Sequence, residues 1–212
     1  MGRIKKGILG GFSGKVATVV GASWLGIDYM RGLPNISGAP ASEEQLAQRN
    51  KMALLRGFLL GLKSIIGRCV QNIEKYTPMN EAISYNLKNT IKGTYPNQSI
   101  NFPQLLFSKG ELMGAWSPKV TSTQSGAIDF SWENGNFTPM RSADDQVILV
   151  VYDSEEKNFC SLCNAAKREE KTARLIVPPT FKGHSVHCYI SFYSESRKLA
   201  STNEYLGEVI VS

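Results

Sequence analysis

The chain has 212 residues, 42% hydrophobic and 20% charged, enough apolar content for one large or two small folded domains that bury roughly 65–75% of the surface an unfolded chain exposes. No run of about 18 apolar residues occurs, because Lys15 and neighbouring glycines interrupt the N-terminal candidate and Lys63 and Arg68 interrupt the one at 52–70, so no helical membrane span is expected. The net charge of +6 is uneven: +4 over residues 1–34 (five basic, one acidic), +5 over 35–110 (nine and four) and −3 over 111–212 (ten and thirteen), a distribution that suits either nucleic-acid affinity or head-to-tail contact between copies.

The first residues, MGRIKK, supply a basic start, but neither a compact apolar stretch nor a small-x-small cleavage site follows. No classical signal peptide is expected, and localisation beyond cytoplasmic synthesis stays open. Lys6 stands where the N-myristoylation pattern wants Ser or Thr. Residues 14–31 are dense in β-branched and aromatic side chains, with Gly21 and Gly26 as bends or bulges, and predict one or two strands of an extended arm. A two-stranded ribbon is marginal alone, so such an arm leans on its own chain or on another copy.

Pro, Gly, Asn and Ser make 32–41 a linker. Ser42-Glu43-Glu44-Gln45 fits a capping box, and apolar residues from Leu46 to Ile73 keep helical spacing to about Tyr76. Thr77-Pro78 reads as an N-cap followed by proline at the first helical position, and Gly93 as the residue past the end of a second helix. Residues 42–93 are therefore expected to form a helical hairpin.

After Gly93 the period changes to that of strands. Predicted strands are 99–102, 105–108, 119–123, 127–133, 146–153, 158–162, 173–177, 185–193 and 205–211, with turn signals spaced as in a β-sandwich. The stretch from Ser117 through Trp132, followed by VILVVYD, resembles the opening strands of fibronectin-type-III or immunoglobulin-like modules. The expected fold class is α+β, with an arm and linker (1–41), a helical hairpin (42–93) and an antiparallel sandwich (94–212).

Cys160-Ser-Leu-Cys163 with His184, His187 and Cys188 has the ligand types of a zinc site, but one CxxC without a second CxxC or an H-x₃₋₅-H has the wrong spacing. Strand alternation over 185–193 also puts His187 and Cys188 on opposite faces. These residues read as structural thiols and histidines, with metal and redox roles as the competing readings. Gly7 to Lys15 superficially resembles a phosphate loop, yet Val16 follows the lysine and a strand comes next. No cofactor and no metal are expected. The acid pairs Asp144-Asp145, Glu155-Glu156 and Glu169-Glu170 fall in predicted loops, and no catalytic residue is assigned.

Two interaction readings compete for the arm. Phe12, Trp24 and Tyr29 are candidate buried anchors of a protein contact, whereas Arg3, Lys5, Lys6, Lys15 and Arg31 beside those aromatics are candidate phosphate contacts for nucleic acid. The chain as a whole, through MGRIKKGILGGFSGKVATVVGASWLGIDYMRGLP, PASEEQLAQRNKMALLRGFL, AISYNLKNTIKGTYPN and GELMGAWSP, resembles a Bacteroidetes family of unknown function of the DUF6266 type. That resemblance implies no activity. The arm, linker and helix layout is also similar to the start of some phage-associated structural proteins. The expected role is a non-enzymatic structural or assembly protein that self-associates through its arm, with nucleic-acid binding as the alternative.

Overall fold

β-Branched residues punctuated by glycine build short antiparallel strands at the N-terminus: β1 (Arg3–Ile4), β2 (Phe12–Val16), β3 (Val19–Trp24) and β4 (Ile27–Gly32), ordered β1-β2-β3-β4. This computed structural model describes residues 2–4, 7, 10–24, 26–34, 38, 40–73, 76–124 and 126–212, in two units, Met1–Ala41 and Ser42–Ser212. The arm is a meander of more strands than the one or two expected over 14–31. Gly21 does not bend the chain; it lies inside β3, opposite Gly14 and Met30. A Cβ there would sit 2.0 Å from the Phe12 carbonyl oxygen, so only glycine lets the β2 backbone come this close. Gly26, at φ +83°, lies between β3 and β4.

In the second unit, α1 (Glu43–Leu60) opens on the capping box read from the sequence. The Gln45 amide donates to Ser42 Oγ and the Ser42 amide to Gln45 Oε1, both at 3.3 Å, which satisfies two of the N-terminal donors. The helix does not continue to Tyr76. It breaks at Gly61 and Leu62, where Phe159 packs against the glycine, and resumes as α2 (Lys63–Cys69). A Cβ on Gly61 would lie 2.7 Å from the Phe159 ring. Thr77 caps α3 (Pro78–Asn89), accepting from the Asn80 amide. Gly93 does not end that helix but follows β5 (Ile91–Lys92), which pairs with β6 (Ser99–Ile100).

The predicted strand 105–108 is buried, bends at Phe107 and belongs to no sheet. Its polar backbone groups are taken by two asparagine side chains. Asn86 accepts from the Leu106 amide (2.9 Å) and donates to its carbonyl (2.7 Å). Asn203 accepts from the Phe107 and Ser108 amides and donates to the Leu105 carbonyl. A buried backbone needs partners, and here side chains supply what a ladder otherwise would.

The remaining strands are β7 (Trp116–Gln124), β8 (Ala127–Glu133), β9 (Gln146–Asp153), β10 (Asn158–Lys167), β11 (Thr172–Ile176), β12 (Ser185–Ser194), β13 (Leu199–Ala200) and β14 (Glu204–Ile210). They form one sheet ordered β11-β8-β7 and another ordered β10-β9-β12-β13, with β14 also on β12; the pairings are antiparallel. Alternation along β9 explains the unbroken VILVVYD run. Val147, Leu149 and Val151 join Ile128, Phe130, Trp132, Leu175 and Phe192 in a core between the two sheets. Ile148, Val150 and Tyr152 join Phe58, Leu59, Ile66 and Phe107 in a second core, toward the helices. A strand covered on both faces reads as continuously apolar.

Candidate interaction surface

Register places the arm's exposed side chains. In β3 and β4 the pairs Val20↔Arg31, Ala22↔Tyr29 and Trp24↔Ile27 share one face, and Lys15 of β2, opposite Val20, belongs to the same face. Trp24 is 47% exposed, Tyr29 45% and Ile27 67%, and the three line a shallow pocket of about 200 Å³. Met30, 71% exposed, lies on the opposite face. All of β4 is exposed, and among the described residues its outer edge pairs with no strand.

Two of the three expected anchors thus come together, and the third does not. Phe12 is half-buried, its ring against the site of a Gly21 Cβ, so it packs within the arm's own sheet. Of the candidate phosphate contacts, Lys15 and Arg31 are exposed on the Trp24–Tyr29 face and Arg3 is exposed on β1. Lys5 and Lys6 lie outside the described residues.

In the second unit, the chemistry-bearing residues are held apart. Cys160 packs toward the core between the sheets and Cys163 toward the helix-side core, because residues three apart on a strand face opposite ways. Burial pushes the Cys69 thiol up to about 11 and that of Cys188 to about 12, which keeps both protonated and unreactive near neutrality. Among the described residues, no three His, Cys, Asp or Glu side chains converge as metal ligands.

The histidines have partners that spacing did not reveal. His184 Nδ1 is 2.7 Å from Asp153 Oδ2, a carboxylate fully buried at the end of β9, and its Nε2 faces Glu155 at 3.6 Å. The hydrogen bond to Asp153 raises the imidazole pKa above its ordinary value. This pair can hold a proton. Asp153 lies 31 positions from His184, and the β9–β12 register, which pairs Asp153 with Val186, is what joins them. His187 is stacked on Phe102 with ring centres 3.8 Å apart, and its Nδ1 is hydrogen-bonded to the Tyr205 hydroxyl (3.0 Å); burial lowers its pKa.

A buried ion cluster was also missed. Arg168, 1% exposed, donates to Asp145 Oδ2 (3.1 Å), Gly114 O (3.0 Å) and Met113 O (2.7 Å) and lies 3.6 Å from the Phe192 ring centre. Arg197 donates to the other Asp145 oxygen. The Arg168 carbonyl accepts from Trp132 Nε1 and Asn134 Nδ2. With both charges paired and the guanidinium bonded to two carbonyls, the cluster fastens loop to sheet.

The model of a family of unknown function, DUF6266, matches residues 11–207. No curated protein gives a significant match to the chain.

Proposed function

We propose that this chain, which belongs to the DUF6266 family of unknown function, is a non-enzymatic assembly protein whose N-terminal sheet joins copies of the chain by strand pairing. The observation that carries this reading is β4: a six-residue edge strand, exposed throughout, bearing Ile27, Tyr29 and Met30 and unpaired on its outer side among the described residues. An exposed edge strand is a template for another strand, and the two charged residues of β4, Asp28 and Arg31, are of opposite sign. Trp24 and Tyr29 are the side-chain anchors beside it.

The sandwich is read as an immunoglobulin- or fibronectin-III-like module. Lettering β7, β8, β9, β10, β11, β12 and β14 as A, B, C, C′, E, F and G gives sheets A-B-E and C′-C-F-G, and the same division of strands between sheets marks that class. Such a module supports the assembly reading as a rigid carrier for the arm.

Removal of residues 1–41 tests the proposal. Light scattering after size exclusion is expected to give a multimer for the full chain and a single protomer for the shortened one, with circular dichroism showing the sandwich intact. Equal masses would sink it. A second reading, nucleic-acid binding, is favoured by one observation: Lys15 and Arg31 share the face of Trp24 and Tyr29, a combination that tracks phosphates and stacks bases. It requires retardation of single-stranded DNA or RNA at low salt, with an affinity that falls steeply as salt rises.

A further inference from the structure

Strand β11 closes one side of the β11-β8-β7 sheet, and among the described residues it pairs only with β8. Which of its backbone groups are free follows from two hydrogen bonds that bracket it. The Trp132 amide donates to the Lys171 carbonyl at 2.9 Å and the Val177 amide to the Gly126 carbonyl at 3.0 Å. In an antiparallel pair, hydrogen-bonded and non-bonded positions alternate. With the register Thr172↔Ser131 to Ile176↔Ala127, Ala173 and Leu175 therefore bond to β8. The N–H and C=O of Thr172, Arg174 and Ile176 point away from it. Among the described residues, the one of these groups with a hydrogen-bonding neighbour is the Ile176 carbonyl, which meets the Cys160 thiol at 3.5 Å.

β10 runs past the Ile176 end of this edge, where Cys160 approaches, and the space opens toward Thr172 and Arg174. The β9–β10 register shifts between Cys163 and Lys167, and a groove of about 730 Å³ runs from Ala165, Ala166 and Glu170 past Thr172 and Arg174 onto Asp129 of β8 and Thr121 of β7. Edge strands are usually guarded by a charge. The one charged residue of β11, Arg174, is folded onto Asp129 at 2.6 Å, and Ile176 is 77% exposed.

The edge of β4 is likewise unpaired among the described residues, and its two charged residues, Asp28 and Arg31, are of opposite sign. The Leu33 amide donates to the Thr18 carbonyl at 2.9 Å, so with the register Val19↔Gly32 to Trp24↔Ile27 the outward groups belong to Asp28, Met30 and Gly32. Among the described residues the β4 edge thus offers three residues with unpaired backbone groups, and the β11 edge offers Thr172 and Arg174 together with the Ile176 amide. The charges are complementary: segment 1–34 carries +4 and segment 111–212 carries −3. Arg31 shares a face with Tyr29, and Glu170 lines the groove.

We propose that β11 of a second copy is the acceptor for β4, which extends the β11-β8-β7 sheet between molecules, with Tyr29 over Ala165 and Ala166 and Arg31 near Glu170. This contact is heterologous, so it generates rings or open chains rather than a two-fold dimer. The inference rests on the self-association reading above and adds the surface that receives the arm.

The test uses the full chain in a concentration series by light scattering, with Met30→Pro, Arg174→Pro and Arg174→Ala. Each proline removes one outward N–H that the fold itself does not use, and is expected to weaken association by about tenfold or more. Arg174→Ala keeps the N–H, loses only the surface ion pair, and is expected to associate like the parent. If Met30→Pro dissociates the assembly and Arg174→Pro does not, the arm assembles the protein through another acceptor, such as a second β4, and this inference falls alone. A parent that keeps the mass of one protomer at every concentration overturns the self-association reading with it. Should Arg174→Pro fail to fold, deuterium exchange of the parent decides: slower exchange at Thr172, Arg174 and Ile176 on concentration is expected, and protection confined to β4 refutes β11 as acceptor.

Discussion

Trp24 and Trp132 both sit on antiparallel strands flanked by alternating residues, yet one is 47% exposed and the other 2%. Trp132 projects between two sheets, packs edge-on to Phe192 and donates its indole N–H to the Arg168 carbonyl. Trp24 lines an open pocket with Ile27 and Tyr29. The difference lies in how many layers cover the strand. Strands of the second unit's sheets have a layer on one or both faces, while the aromatic face of the N-terminal sheet is exposed among the described residues. Apolar side chains serve cohesion within the molecule in the first region and stand available for contact in the second.

The largest test of this contrast is a pair of truncations. Trp132→Ala is expected to cost about 3–5 kcal/mol, the transfer and cavity cost of a buried aromatic, and Trp24→Ala to stay within about 0.5 kcal/mol; urea unfolding at a concentration where the chain is a single protomer measures both. A Trp24→Ala loss of several kcal/mol would mean that the aromatic face is covered within one molecule. A smaller effect is expected at Asn203. Its replacement by Ala strands the Phe107 and Ser108 amides and the Leu105 carbonyl and should cost about 1–3 kcal/mol, whereas Glu111→Ala, which loses only an exposed hydrogen bond from Asn72, should leave stability almost unchanged.

The smallest effect separates the histidines. His184 has a raised folded-state pKa through its bond to Asp153, so its contribution is full below the unfolded value of about 6.5 and is lost as pH rises through the folded one. His187 has a lowered pKa through burial, so its contribution is present above about 6.5 and is lost as pH falls through the folded value. Two-dimensional NMR titration should show the His184 ring protonating at the higher pH. The reverse order would mean that Asp153 does not hold His184 in solution.

Much of the second unit was legible because its signals are local. The Ser42 capping box, the Thr77-Pro78 start, the alternation over 127–133 and the apolar run over 146–153 each depend on residues a few positions apart. What escaped depends on distant residues. Residues 105–108 have strand-like composition, but their partners are Asn86 and Asn203. Helical spacing persists through Gly61, but Phe159 packs against it from about a hundred positions away. The same holds for the site chemistry: the Asp153–His184 and Asp145–Arg168 pairs are made by sheet pairing and loop closure. In the arm, composition indicated strands but not their number, since Gly21 reads equally well as a bend or as a point of close approach.

The placement of β9 and β12 between two cores also sets a timetable for synthesis. Helices α1 to α3 are finished at Asn89, but the two central strands of the sheet that covers their apolar side, with Ile148, Val150, Tyr152 and Tyr189, are complete only at Ser194. At about 5–20 residues per second, roughly a hundred residues take about 5–20 s. For that interval Phe58, Leu59 and Ile66 have no sheet to dock on, so the nascent chain is most exposed to chaperones and to misassembly while its sandwich is still being made.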